Sequence, residues 1–446
     1  MEMGIDIETI YRRAIDLGAS EAEIYYTYSR EISLSISEKI ERAETTESGS
    51  LGIRVSIGKR VSVVGTQDLS ARGVEEALED AISIAKSMPE DPNWRGFNEK
   101  LGSAYLHSYV DRETRGSGVE KVAEIALEAI TGVLEISRGV KPVRGSASSS
   151  YMFTEIMNSY GGPIEREETA AWIYIYAKAG GAGEEGSYGD YRASRSIKDL
   201  RARDLGREVG HTASTFAKSQ HTRNGIYDLI LSPRVFGSFI ATMLSPAISA
   251  LSVQRGRSPL AGKLGQIIAI DTLSIYDNGL EPRLLGSRGF DDEGHPTTRT
   301  TIIEKGVLKS YLYDSYTAKA ENRISTGNAW RVYSSPPSPG PNHLVIAPGD
   351  SNLEEMISSI KSGLYILTTI GEWLSNPVSG NLNATITNAY IIENGEIKGA
   401  VNGGVISADF YDMLRKGIAL IGKEIEDRER VSAPPVLIRN ARVAGK

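Results

Sequence analysis

The segment GFDDEGHP, Gly289 to Pro296, gathers Asp291, Asp292, Glu293 and His295 within a few residues. Carboxylates beside an imidazole suit acid–base hydrolysis or a metal site, yet acidic residues with Gly and Pro also compose an ordinary loop between strands. A second segment, RSPLAGKL from Arg257 to Leu264, echoes a phosphate loop. Arg257 stands where its first glycine belongs, and Leu264 lacks the hydroxyl that would hold magnesium. A third, Ser325-Thr326-Gly327-Asn328, is polar enough to touch a peptide and equally suited to a plain turn. The histidines are His107, His211, His221, His295 and His343, and glutamate follows none of them. A zinc peptidase helix needs imidazoles on one face with a carboxylate beside them to activate water, and this local pattern is absent. There is no Gly-x-Ser-x-Gly elbow for an esterase-type serine. With no cysteine in 446 residues, disulfides, thiolate zinc sites, iron–sulfur clusters and a cysteine nucleophile are excluded.

The elements that must position these groups follow from composition and periodicity. A chain of 446 residues with 40% hydrophobic and 24% charged residues is expected to fold as two or three domains with ample core. Its net charge of −7 argues against a nucleic-acid partner. The opening MEMGIDIETIYRRAIDLG is acidic and amphipathic, without the basic and apolar regions of a signal peptide, so a cytoplasmic protein is expected. From Val235 to Gln254 no residue is charged, but Ser, Thr and Pro interrupt the apolar run, which reads as a buried helix and not as a membrane span.

Apolar spacing predicts a helix from Asp6 to Leu17, then short strands AEIYYTYS, REISLSIS, KIERAETTES, SLGIRVSIG and RVSVVG, then a helix from Ala71 to Lys86. The aperiodic PEDPNWRGFNEKLGS marks a boundary near residue 100. Beyond it come a helix from Val119 to Ile136, a long hairpin turning at Tyr160 to Pro163, and a solvated helix face within Arg192 to Lys218. The rest is Gly-rich and strand-heavy, with hairpin turns at Glu304-Lys305-Gly306 and Asn394-Gly395 and a late helix from Ala408 to Ile425. The expected class is α+β, rich in antiparallel strands, in three modules: residues 1–100, 101–220 and 221–446.

The C-terminal blocks GFDDEGHPTTRTTIIEKGVLKSYLYDSYTA, STGNAWR, IIENGEI, GVISADFYDMLRKGIALIGKEIEDR and PPVLIRNARVAGK resemble, in order, those of the TldD/PmbA family. SGSLGIRVSIGKRVSVVGTQDLS resembles the family's first domain, and the likeness is weakest from about 90 to 220. The family has also carried the label peptidase U62 and that of a modulator of DNA gyrase. An acidic chain without a DNA-binding motif lends the gyrase label no support. The resemblance implies a metallopeptidase in which a TldD-type subunit, bearing a His-Glu-x-x-x-His zinc motif and a distant cysteine ligand, pairs with a PmbA (TldE) subunit lacking them. In this sequence the motif's positions align with Ala241, Thr242 and Pro246, none of which is a ligand, and the cysteine is missing.

The resemblance therefore implies a non-zinc subunit that holds no metal itself and has zinc in its partner. It would complete a cleft for unfolded peptides, help trim peptide precursors and act with a TldD-type partner or as a homodimer, with no nucleic acid and no membrane. Two alternatives stand beside it. One is a peptide-binding or scaffolding homodimer without peptidase activity; the other is a hydrolase using Asp291, Asp292 and His295. The charge-free block needs cover from solvent, so Phe236, Phe239, Ile240 and Met243 are expected on or just beneath a subunit interface, or else in an internal core.

Overall fold

In the computed structural model, which describes residues 5–104, 110–181 and 184–445, local capping starts the first helices. The Asp6 carboxylate accepts the Thr9 N–H at 3.1 Å to open Ile7–Asp16, and the Ser70 hydroxyl accepts the Gly73 N–H at 3.1 Å to open Ala71–Ser87. The strands that follow are longer and fewer than the short runs suggest. They are β1 (Glu21–Ile36), β2 (Ile40–Ile57), β3 (Arg60–Thr66), β4 (Val140–Asn158), β5 (Gly161–Gly181) and β6 (Glu184–Ser194). Their order is β3-β2-β1-β4-β5-β6, antiparallel throughout.

Because β1 pairs with β4 from Glu23↔Asn158 to Ile36↔Gly145, the first two modules share one continuous sheet. The change near residue 100 separates two helical layers and not two sheets. Helices Ile7–Asp16 and Ala71–Ser87 cover the core around Ile24, Leu51 and Val55, while Val119–Leu134 and Ala202–Phe216 cover that around Ala147, Ile173 and Ile175. The second pair of helices approaches closely enough that a Cβ at Gly132 would lie 2.1 Å from the Arg203 carbonyl. His107 lies outside the described residues.

The C-terminal module holds two large sheets and a two-stranded ribbon, Ala329–Trp330 with Ser338–Pro339. In one, Ser362–Ile370, Gly225–Leu231, Val436–Ala444, Val405–Asp409 and Asn381–Glu393 pair in turn, and the last returns to pair with the first, closing a ring. The other is six-stranded and ends in Glu426–Arg428. The hairpin turns fall where the sequence places them. Lys305-Gly306 has φ of 46° and 79°, and Asn394-Gly395 has 51° and 81°, the doubly positive turn that matches strand twist. The class is α+β with mainly antiparallel pairing, as expected, and each large C-terminal sheet also holds parallel pairing.

One expectation is corrected. The late helix expected from Ala408 to Ile425 is helical only from Phe410 to Gly417, an α turn running into a wide one, between the end of a strand at Asp409 and a strand Ile418–Ile421 pairing with Val436–Ile438. Its apolar residues satisfy either period, and pairing with the C-terminal strand decides. The charge-free block carries two expectations, a place on or just beneath an interface or one in an internal core. Pro233–Phe239 continues through a wide turn, Ile240–Leu244, and stops at Ala247 beside Pro246. This is where a proline should break the ladder. Phe236, Phe239, Ile240 and Met243 are all 0% exposed inside the largest core, so these side chains form no surface for a partner.

Candidate functional site

The GFDDEGHP loop faces inward. The two carboxylate oxygens of Asp291 accept backbone N–H groups from Glu293 (2.9 Å), His295 (3.0 Å) and Ala329 (3.0 Å). Asp292 accepts Arg166 and Arg288, each at 2.9 Å, and the Arg331 N–H at 3.1 Å. Burial pushes the Asp292 pKa upward, but Arg288 and Arg166 outweigh it and hold the group at about 2. His295 contacts its neighbour's carbonyl at 2.9 Å through Nδ1. Asp291, Asp292 and His295 are no more than 4% exposed. The carboxylate oxygens that the hydrolytic alternative would use are therefore buried and already engaged as acceptors, which argues against that alternative.

The loop acts as a latch between modules. Arg54 of β2 lies 3.3 Å from Glu23 of β1 and 3.4 Å from Glu293, and Arg331 lies 2.6 Å from Glu23. The Ser325-Thr326-Gly327-Asn328 loop is likewise internal. Ser325 and Thr326 donate to the Tyr313 carbonyl, and Asn328 donates to Asp277 at 2.8 Å. A Cβ at Gly327 would lie 2.5 Å from the Pro296 carbonyl. The four residues support their neighbours and do not face a groove. Among the described residues, no group of three His, Asp or Glu side chains is placed to hold a metal.

An opening toward solvent lies elsewhere, over the charge-free helix, and a second of equal volume, about 540 Å³, lies beside Arg54, Glu293 and Tyr316. Ser232 caps this helix by accepting the Val235 N–H at 3.3 Å, and Pro233 supplies its first turn. While the phenylalanines enter the core, Arg234, Ser238, Ala241 and Ser245 recur on the opposite face and line a cleft of about 540 Å³. Ala241 thus opens into the cleft, Thr242 is half-buried and Pro246 is exposed at the helix end.

Arginine–aromatic stacks wall this cleft. On one side Tyr191 of β6 stacks on Trp172 at 4.3 Å, with Arg234 and Arg428 over its ring at 5.8 and 5.2 Å. Asp190 neutralises that pair, at 3.2 Å from Arg234 and 2.7 Å from Arg428. On the other side the Trp330 ring lies between the guanidiniums of Arg288 at 3.6 Å and Arg430 at 3.8 Å. A neighbouring groove continues past Asp190 along Tyr188, Arg192, Tyr365 and Glu426. β6 and Glu426–Arg428 are each the last strand of their sheet, and they meet at this point through Arg428 and the Tyr191 carbonyl (3.1 Å).

Sequence reading missed Arg234, Tyr191, Trp330, Arg428 and Arg430. The one available signal was the stripe of Ser238, Ala241 and Ser245 on an otherwise apolar helix. The others come from segments far apart in the chain.

Comparisons with known proteins agree with this architecture. Residues 22–85 match PmbA/TldA metallopeptidase domain 1, 113–216 the central domain and 224–445 the C-terminal domain. A Haemophilus influenzae protein named metalloprotease PmbA homolog is 27% identical, over 97% of this chain and 94% of its own. The Escherichia coli O157:H7 metalloprotease PmbA is 25% identical, over 99% and 96%. The crystal structure of TldE from Thermococcus kodakarensis superposes with a TM-score of 0.90 at 25% identity, covering 98% of this chain and 100% of that one. The three domain matches, in this order over most of the sequence, place this chain in the PmbA/TldD metallopeptidase family.

Proposed function

We propose that this chain is the zinc-less, TldE-type subunit of a peptidase pair, forming part of a cleft that holds an extended, unfolded peptide while a TldD-type partner supplies zinc. The observation that carries this reading is the cleft helix. By resemblance, Ala241, Thr242 and Pro246 occupy the zinc-motif positions and offer no imidazole or carboxylate, while the cleft above them remains open at about 540 Å³. Two terminal strands border that cleft, and unpaired strand edges accept an extended chain through its backbone. Such recognition needs a substrate free of its own structure, which suits the degradation of unfolded peptides and the trimming of precursors.

The isolated chain is expected to hold no stoichiometric zinc and to leave denatured protein uncut. Mixing with a zinc-bearing family member from the same organism should give cleavage that a chelator stops. Chelator-resistant cleavage by the chain alone, or one tightly bound zinc per chain by elemental analysis, would sink the assignment.

Association with a partner needs an apolar surface, and the buried phenylalanines do not supply one. Ile370, Trp373, Leu374 and Val378 do, at 49, 70, 72 and 54% exposed on the segment that follows Ser362–Ile370. Trp373→Asp should leave the circular dichroism spectrum unchanged and weaken association at least about tenfold, as loss of an interface anchor does. An unaltered sedimentation profile of the mixture would remove this surface from the interface. A chain that self-associates through it, without needing a zinc subunit, would favour the homodimer reading instead. Among the described residues no helix is long and apolar enough to cross a membrane.

A further inference from the structure

The two arginine–aromatic stacks of the cleft differ in one respect. Arg234 and Arg428 share Asp190, and Arg428 also meets Glu426 at 2.9 Å, so that wall is internally neutralised. The other wall is not. Around Trp330, the guanidiniums of Arg166, Arg195, Arg288 and Arg430 are grouped with the carboxylates of Glu168 and Asp292. Glu168 lies 3.0 Å from Arg166 and 3.3 Å from Arg195, and Asp292 lies 2.9 Å from both Arg166 and Arg288. Backbone carbonyls take further donors of the inner arginines, Ala329 for Arg288, Phe290 for Arg166, and Leu285 and Ser287 for Arg195, whose Nε is left without a partner.

Arg430 is the residue left over. It stacks on Trp330 and lines the cleft, and it has neither an ion pair nor a side-chain hydrogen bond among the described residues. Of the acidic residues lining the same cleft, Glu372 is 8% exposed and accepts the Thr369 hydroxyl, and the exposed Glu429, next in the chain, attracts Arg430 through space without forming an ion pair with it. Arg430 is exposed as a residue, while enclosure of its head by the cleft and the like charge of Arg288 disfavour its charged form against the pull of Asp292, Glu168 and Glu429, and a bound anion would add to that pull. Trp330 fixes the plane of the guanidinium, so its donors are held ready for a planar, two-oxygen acceptor.

We infer that Arg430, braced on Trp330, is a carboxylate-binding subsite of the cleft, taking either the terminal carboxylate of a bound peptide or an Asp or Glu side chain within it. This rests on the peptide-cleft reading above and adds to it a polarity: one anchored point that sets the register of an otherwise backbone-held strand. Neighbouring Ser238, Ala241 and Ser245 leave room beside it for small side chains.

The test uses the purified full chain and a fluorescein-labelled unstructured octapeptide in three forms: free acid, C-terminal amide, and amide with one internal glutamate. Anisotropy should show the free acid binding about tenfold tighter than the plain amide. Arg430→Gln should erase the difference, leaving the free acid as weak as the amide, while Arg430→Lys restores part of it. Recovery of tight binding by the glutamate-bearing amide would identify side-chain carboxylates as ligands, and its absence would confine the subsite to chain ends. Equal binding of all three forms, or a difference that survives in Arg430→Gln, would overturn the subsite but leave the peptide cleft standing. Binding of none would overturn both. A circular dichroism spectrum shared by all variants guards against unfolding as the cause.

Discussion

Phe239→Asp is expected to unfold the C-terminal module and not to release a folded subunit. Phe239 is fully buried beside Phe236, Ile240 and Met243 in a core built from both C-terminal sheets. Losing the ring costs about 3–5 kcal/mol, and an uncompensated buried carboxylate adds several more. The total approaches the whole stability of a typical domain, roughly 5–15 kcal/mol. Circular dichroism should show lost structure at room temperature, or the chain should be recovered only as aggregate. A soluble, folded, dissociated mutant would show that the side chain faces a partner after all.

The latch between modules gives the second large effect. Asp292→Asn leaves Arg166 and Arg288 buried with only half their counter-charge and weakens the acceptor for the Arg331 N–H. Breaking a buried pair from one side costs about 3–5 kcal/mol. The midpoint of urea unfolding should fall accordingly, and a protease should cut between the modules before either loses its own core. A midpoint within error of the parent would mean that the arginines find other acceptors.

The same carboxylate sets one limb of the pH profile. Its folded pKa of about 2 lies below the ~3.9 of an unfolded aspartate, so its stabilisation is present above pH ~4 and lost as the pH falls toward 2. Asp277 behaves oppositely. Burial pushes it up to about 7 although Asn328 and the His343 N–H pull it back, so its contribution is full below pH ~4 and lost as the pH rises through 7. Stability should therefore peak between those limits, and Asp277→Asn should flatten the alkaline side alone.

Much of the fold was legible because its determinants are local. Asp6 and Ser70 cap their helices from three residues away, and Asn394-Gly395 turns a hairpin through its own backbone preferences. Even the burial of β2 left a trace. Leu51 to Ser56 is an almost unbroken buried run in which Arg54 is the one charge, and a strand covered on both faces with a lone arginine calls for a buried carboxylate. Where two periods fit one apolar run, as from Ala408 to Ile425, the local signal was ambiguous and a strand arriving from Val436–Ile438 made the choice.

What the sequence determined by itself was the absence of a cysteine, the lack of metal-ligating side chains at Ala241, Thr242 and Pro246, the hairpin turns and the helices of the first two modules. The cleft was decided only in three dimensions. Arg331 and Glu23 are 308 residues apart, and Arg428 and Asp190 are 238 apart. No periodicity links residues at such separations, because what selects them is the cost of burying a charge without its partner, and that cost exists only once the modules have closed on one another.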